Sequence, residues 1–248
     1  MLLSLPFRRF FRPIRFGSIF SSVRRPSIAA GLAVCAGALL LLPIPASAQG
    51  PAQNAPPGQF DFYVLSLSWS PSFCASAADD NRSGGAQCGA RPFSFVVHGL
   101  WPQYERGFPE YCETPSPRLY HGIVSSMLDL MPAPRLIYNE WDKHGTCSGL
   151  SAQAYFDTIR KARAVVNIPP EYNNLQAPLT VSPAQVEDAF IKANPGLAQS
   201  GIAVECSRSR MSEVRLCLSK DLKFRDCPDV ARRSCRRDQL VMPPVRGG

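Results

Sequence analysis

The chain has 248 residues and a formal net charge of +8. Six arginines and no acid fall within residues 1–27, so the chain beyond residue 48 holds 21 basic and 19 acidic residues, a net charge of about +2. That near-balance rules out naming a polyanionic partner from bulk charge, and the length left suits one domain without internal repeats. Residues 1–48 read as an export signal: the arginines, then an apolar run of 15 residues (28–42) before Pro43, then Ala46-Ser47-Ala48 as a cleavage signature. A membrane anchor is the competing reading, but a spanning helix needs about 20 apolar residues. Residues 49–59, QGPAQNAPPGQ, predict a flexible linker, and 60–248 a single domain with a short disordered C-terminal end. FDFYVLSLSW (60–69) is apolar on both alternating faces, as a central strand would be. DDNRSGG (79–85) predicts a loop, and FSFVVHGLWP (93–102) a second buried strand stopped by Gly99 and Pro102. The patterns over 118–130, 134–147 and 151–166 predict helices. Ser182, Pro183 and Gln185 mark another helix start, as N-cap, N1 and N3, and Asn194-Pro195-Gly196 its end. Short strands follow near 201–206 and 213–219, with one more at 222–226. Strands, then helices, then strands predict an α+β fold around a central antiparallel sheet.

Cys35 lies in the signal. Eight cysteines remain: Cys74, Cys88, Cys112, Cys147, Cys206, Cys217, Cys227 and Cys235. An even number after an export signal implies up to four disulfides in an oxidising compartment, periplasmic or extracellular. Spacing alone leaves their pairing open. No C-x2-C or H-x3-H pair exists, which argues against zinc, and neither a metal nor a cofactor is expected. From Cys206 onward 11 basic residues face 5 acidic ones, a segment that could attract a polyanion or simply form a solvated surface.

Chemistry concentrates in two stretches. In NEWDKHGTC (139–147), a helix puts Glu140, Lys143 and His144 at i, i+3 and i+4, on one face, with Trp141 and Cys147 turned elsewhere. A solvated helix face is the common outcome for such a trio. Here Lys143 lowers the proton affinity of the neighbouring imidazole while Glu140 raises it, and Gly145 leaves room for an approaching substrate. In VVHGLWPQY (96–104), His98 falls at a strand end, where sites often open, although a structural histidine with Trp101 in the core is an equal alternative. His121 has no acid or lysine beside it and is read as surface. Two imidazoles supply an acid and a base near neutral pH, and a lysine can stabilise charge on a pentacoordinate phosphorus. No nucleophilic serine motif, phosphate-cradling glycine loop or carboxylate pair for metals is evident. The set suits attack by a ribose 2′-hydroxyl on its own phosphodiester, so DNA should resist.

HGLWP (98–102) and EWDKHGTC (140–147) resemble the two catalytic segments of the ribonuclease T2 family, the secreted acid endoribonucleases. FYVLSLSWSPSFC (62–74), the helix at SPAQVEDAFIKANPG and the tail EVRLCLSKDLKFRDC are similar too, so the resemblance covers roughly residues 60–235. It implies His144 as general base, His98 as general acid, and Glu140 and Lys143 at the phosphate, with Trp101 stacking on a base. It implies disulfides Cys112–Cys147, Cys206–Cys235 and Cys217–Cys227, with Cys74–Cys88 as the remaining pair. The expected partner is RNA and not DNA, and a monomer free of the membrane once its signal is removed is expected. Two positions depart from the family pattern. Asn139 stands where a third, phosphate-binding histidine is frequent, and Gln103 where an acidic base-reading residue is. The competing reading is a secreted RNA-binding or cytotoxic protein on the same fold without catalysis.

Overall fold

The computed structural model describes residues 52–53, 56–80, 85–89, 91–115 and 118–245, so the export-signal reading of 1–48 lies outside the described residues. The elements run β1 (Ala52–Gln53), β2 (Phe62–Trp69), α1 (Ser70–Asp79), β3 (Phe95–Gln103), β4 (Pro109–Glu110), α2 (His121–Ser126), α3 (Pro134–Lys143), α4 (Ala152–Ala164), β5 (Leu179–Val181), α5 (Pro183–Ala193), β6 (Ile202–Ser207), β7 (Arg210–Leu218), α6 (Pro228–Ala231) and β8 (Leu240–Met242). The architecture is α+β. The main sheet has the order β3-β2-β7-β8-β5, with β6 also pairing to β7. It is antiparallel except where β8 meets β7 in parallel at Arg210 and Val241. β1 and β4 form a separate parallel pair.

Alternation along the strands sorts two faces. Odd-numbered residues of β2, namely Tyr63, Leu65, Leu67 and Trp69, join Ile137 and Trp141 of α3, Tyr155 and Phe156 of α4, and Phe190 of α5 in the main core. Phe62 and Val64 point the other way and pack with Cys217, Cys227, Trp101 and Val230 in a smaller cluster. This explains why the first strand is apolar on both sides. α3 is ordered by the same logic. Ile137 and Trp141, one turn apart, are fully buried, and each side chain contributes about 2 kcal/mol by leaving water. That anchoring leaves Glu140 and Lys143 aimed at the opposite face of the sheet.

The helix predicted over 134–147 ends at Lys143. His144 caps it, and a 3-10 turn (Gly145–Ser148) leads to Gly149 at φ 73°. Only glycine suits that position, because its Cβ would also lie 2.8 Å from the Gly58 Cα. The described part of the expected flexible stretch 49–59 is therefore held: β1 pairs with β4, and Gly58 N donates to Cys147 O at 2.9 Å. The helix predicted over 118–130 shortens to α2, after which a turn covers the outer edge of β3, where Val97 N donates to Leu130 O at 2.9 Å. The capping box at Ser182 and Gln185 forms as predicted. Helix α1 was not foreseen, although Pro71 in its first turn repeats the Ser-Pro start seen at 182–183. β5 and β8 have three residues each, too short to show a period. The predicted strand at 222–226 is a single bridge, Leu218 to Phe224. Up to Val245 the C-terminal segment is packed: the Val245 amide donates to Leu175 O, and Trp69 Nε1 donates to Pro243 O. Residues 246–248 lie outside the described residues.

Four disulfides join Cys74–Cys88, Cys112–Cys147, Cys206–Cys235 and Cys217–Cys227, the pairing implied by the family resemblance. No helix among the described residues is long and apolar enough to cross a membrane.

Candidate active site

His98 owes its direction to a β-bulge. On β2, Ser66 pairs with Gly99 and Leu67 with Val97, which leaves His98 as an extra residue without a cross-strand partner. Strict alternation would send His98 to the apolar core. The bulge turns it instead to the face that carries Trp101 and Gln103 of β3 and Glu213 and Arg215 of β7. From above, α3 delivers Glu140, Lys143 and His144. All of these except Glu213 line one pocket of about 310 Å³, together with Phe108, Val64, Val230 and Arg233. His98 and Glu213 also form the wall of a neighbouring cavity of about 350 Å³, whose polar lining includes Ser68, Ser72, Ser76 and Gln87.

Trp101 is the centrepiece. Its ring lies 5.4 Å from that of His98, edge-on, and 5.3 Å from that of His144, and its Nε1 donates to Glu140 Oε2 at 2.7 Å. Arg215 lies over its ring at 5.1 Å. Gly99 is demanded by space: a Cβ there would sit 1.9 Å from Glu140 Oε2 and 2.4 Å from Trp101 Nε1. Gly145 does not open the pocket as its sequence position implied. A Cβ on it would lie 2.4 Å from the Trp141 ring and 2.9 Å from Tyr155, so this glycine serves core packing. Lys143 Nζ is 3.4 Å from Glu110 Oε2, an acid buried on β4.

The two imidazoles sit in opposed fields. Burial disfavours a charged His98, but the hydrogen bond and charge of Glu213, with Glu140 behind them, outweigh burial and the Arg215 charge, and its pKa is raised. Its Nδ1 is 2.5 Å from Glu213 Oε1 and its Nε2 is 3.6 Å from Glu140 Oε1. His144 is lowered to about 3 by burial, then by Lys143 and His98. Its Nδ1 is buried with no hydrogen-bond partner among the described residues, so nothing there compensates a charged ring. Burial drives Glu140 up to about 6 against His98 and the Trp101 hydrogen bond. Glu213 goes the other way: burial would raise it, but His98 and then Arg215 hold it at about 2.

A carboxyl whose pKa rises on folding destabilises the fold when charged. For Glu140 the cost is absent below its ordinary 4.5, grows as pH rises, and is complete above about 6. Glu140→Gln removes it. The variant should be more stable than the parent by up to about 2 kcal/mol at neutral pH, with the gain vanishing at acid pH. Urea unfolding at several pH values measures this directly, and a pH-independent difference would refute it.

The structure brings His98, Trp101, Gln103, Glu140, Lys143 and His144 to one pocket. Gln103 turns its amide nitrogen to Pro102 O at 2.9 Å. Asn139 is exposed on α3 and is not among the pocket-lining residues, and His121 is exposed on α2. Sequence reasoning missed Glu213 and Arg215. Their signal was two charged residues alternating with buried Val214 and Leu216 on one strand. It also missed Arg233 and Phe108, which reach the pocket from loops. Among the described residues no group of three or more His, Cys, Asp or Glu could hold a metal ion.

A disulfide-stapled α+β domain that sets two histidines of opposed proton affinity beside a lysine has the equipment of an acid–base nuclease. The sequence comparisons are specific. The Ribonuclease T2 family model matches residues 60–227, and the chain belongs to that family, as a T2-type endoribonuclease acting on RNA. A ribonuclease of Aeromonas hydrophila is 36% identical over 201 residues, covering 76% of this chain and 88% of its own. The structure of RNase NT in complex with 5′-AMP superposes with a TM-score of 0.57 at 26% identity, over 75% of this chain and 99% of that one. An RNase-related protein from Calystegia sepium shares the fold, with a TM-score of 0.59 at 21% identity, over 75% and 98% of the two chains.

Proposed function

We propose that the protein cleaves single-stranded RNA without a metal ion, by attack of a ribose 2′-hydroxyl on the adjacent phosphorus. His144, whose pKa is lowered to about 3, is neutral across the working range and takes the 2′-hydroxyl proton. His98, whose pKa is raised, carries the proton that its Nε2 gives to the leaving 5′-oxygen as the P–O bond breaks. The opposed proton affinities of these two rings in one pocket are the observation that carries the assignment. Lys143 offers its ammonium to the extra negative charge on the phosphoryl oxygens. Glu140, with a pKa raised to about 6, is largely protonated in mild acid and donates a hydrogen bond to the same oxygens. Product is a 2′,3′-cyclic phosphate, opened by water to a 3′-phosphate in the reverse proton sense. Base preference is broad: Trp101 and Phe108 line the pocket with aromatic faces that accept any base, and Gln103 stands there in place of an acidic reader. Four disulfides and the signal-like residues 1–48 support export to the periplasm or beyond.

RNA and DNA oligonucleotides of one sequence, incubated with the pure protein and excess chelator, test this. Cyclic-phosphate ends should appear first on the RNA and convert slowly, with the DNA intact. Cleavage of the DNA, RNA cleavage abolished by chelator, or direct formation of 5′-phosphate ends would overturn the reading.

A further inference from the structure

Glu213 lies on β7, far in sequence from both histidine segments, and its carboxylate is held on every side. Oε2 accepts from Ser66 Oγ at 3.0 Å and from Arg215 Nη2 and Nε at 3.0 and 3.2 Å. Oε1 lies 2.5 Å from His98 Nδ1, with Ser68 Oγ at 3.4 Å. Arg215 is itself fixed by Glu205 Oε1 at 2.7 Å. A carboxylate kept ionised can only accept hydrogen bonds, so the ring nitrogen facing it must carry hydrogen. That assigns a permanent N–H to His98 Nδ1 and leaves Nε2, which looks toward Glu140 across the pocket, as the nitrogen that gains and loses a proton.

We infer that Glu213 is a positioning residue for catalysis, clamped by Ser66 and Arg215 so that the exchangeable proton of His98 sits on Nε2 and points at the leaving oxygen. The inference rests on the proposal that His98 is the general acid. The charged and titratable groups facing His98 are Glu213 and Arg215 from β7 and Glu140, Lys143 and His144 from α3, with Glu205 of β6 behind Arg215. Of these only Glu213 contacts Nδ1, so only its removal frees the ring to adopt the other tautomer or to rotate. The relation is that of a carboxylate orienting an imidazole in a catalytic triad, transplanted to an acid rather than a base. During the step the P–O5′ bond breaks, the Nε2 proton passes to O5′, and Glu213 stays ionised throughout.

Glu213→Gln keeps the side-chain shape and an oxygen for Ser66 and Arg215. Two substrates read the result: an RNA dinucleotide, whose 5′-oxygen must be protonated to leave, and a uridine 3′-nitrophenyl phosphate, whose phenolate leaves unaided. On the dinucleotide, kcat should fall roughly 10- to 100-fold at neutral pH with KM little changed. The alkaline limb of kcat/KM and the NMR titration of the His98 ring should both move to lower pH. On the nitrophenyl ester the variant should stay within about threefold of the parent, which also shows that it is folded. Equal losses on both substrates, or an unmoved His98 titration, would overturn the inference. His98→Ala run beside it separates the layers. If it too fails to distinguish the substrates, the general-acid reading falls; if it distinguishes them and Glu213→Gln does not, the positioning role alone falls.

Discussion

His98→Ala and His144→Ala should each cut kcat on RNA by on the order of 10²–10⁴-fold, the range of a single general acid or base. The double variant should lose little more than the worse single one, because proton removal and proton delivery belong to one transition state. RNA binding should persist in all three and weaken with salt, since Lys143, Arg215 and Arg233 still line the pocket. The pH dependence separates the two rings. In the parent, kcat/KM should follow a bell on the acid side of neutrality. The acid limb comes from the His144 pKa lowered to about 3 and the alkaline limb from the His98 pKa raised above 6.5. His144→Ala should erase the acid limb and His98→Ala the alkaline one. The opposite pattern would swap the roles, and two unaffected variants would dismiss the mechanism.

The second large effect concerns Cys112–Cys147, a bond closing a loop with a sequence separation of 35. Opening it by paired alanine substitution should cost about 4 kcal/mol in a chain-entropy treatment. The loss should reach function first. Cys147 lies three residues beyond His144, inside the 3-10 turn that ends the catalytic helix, and Tyr111, beside Cys112, donates its amide to Lys143 O at 2.9 Å. The bridge therefore ties β4, with Glu110, to the backbone of Lys143 and His144. A variant still folded by circular dichroism should show kcat reduced about tenfold or more, as second-tier supports do. Removal of Cys74–Cys88, whose loop separation is 14 and which does not tie the backbone of Lys143 and His144, should destabilise less and spare more of kcat. Equal kinetic losses for both bridges would contradict this.

Much of this was readable in the amino-acid order because it rests on local periodicity. The Glu140-Lys143-His144 face follows from helical spacing, and the Ser182 cap from a four-residue signature. What escaped depends on long-range contacts. Glu213 meets His98 across 115 positions, and only the strand pairing through β2 makes them neighbours. Asn139 was named from the family resemblance, and the 100° turn per residue places it on the exposed side of α3. Gly145 was judged by its place beside His144, but the helix ends there and the chain turns inward onto Trp141 and Tyr155. Helix α1 was hidden by small residues with little amphipathic contrast.

The bulge at His98 sets a counting rule for this strand. From Ser66 to Trp69 the chain takes three steps, while their partners Gly99 and Phe95 are four apart. Deleting one residue between those partners would make the counts equal and restore a regular ladder, yet it would rotate the imidazole into oil and silence the enzyme while improving the sheet. Grafting the pentapeptide HGLWP onto a strand of even register would fail for the same reason. What a transplant must copy is the odd surplus residue, not only the five letters.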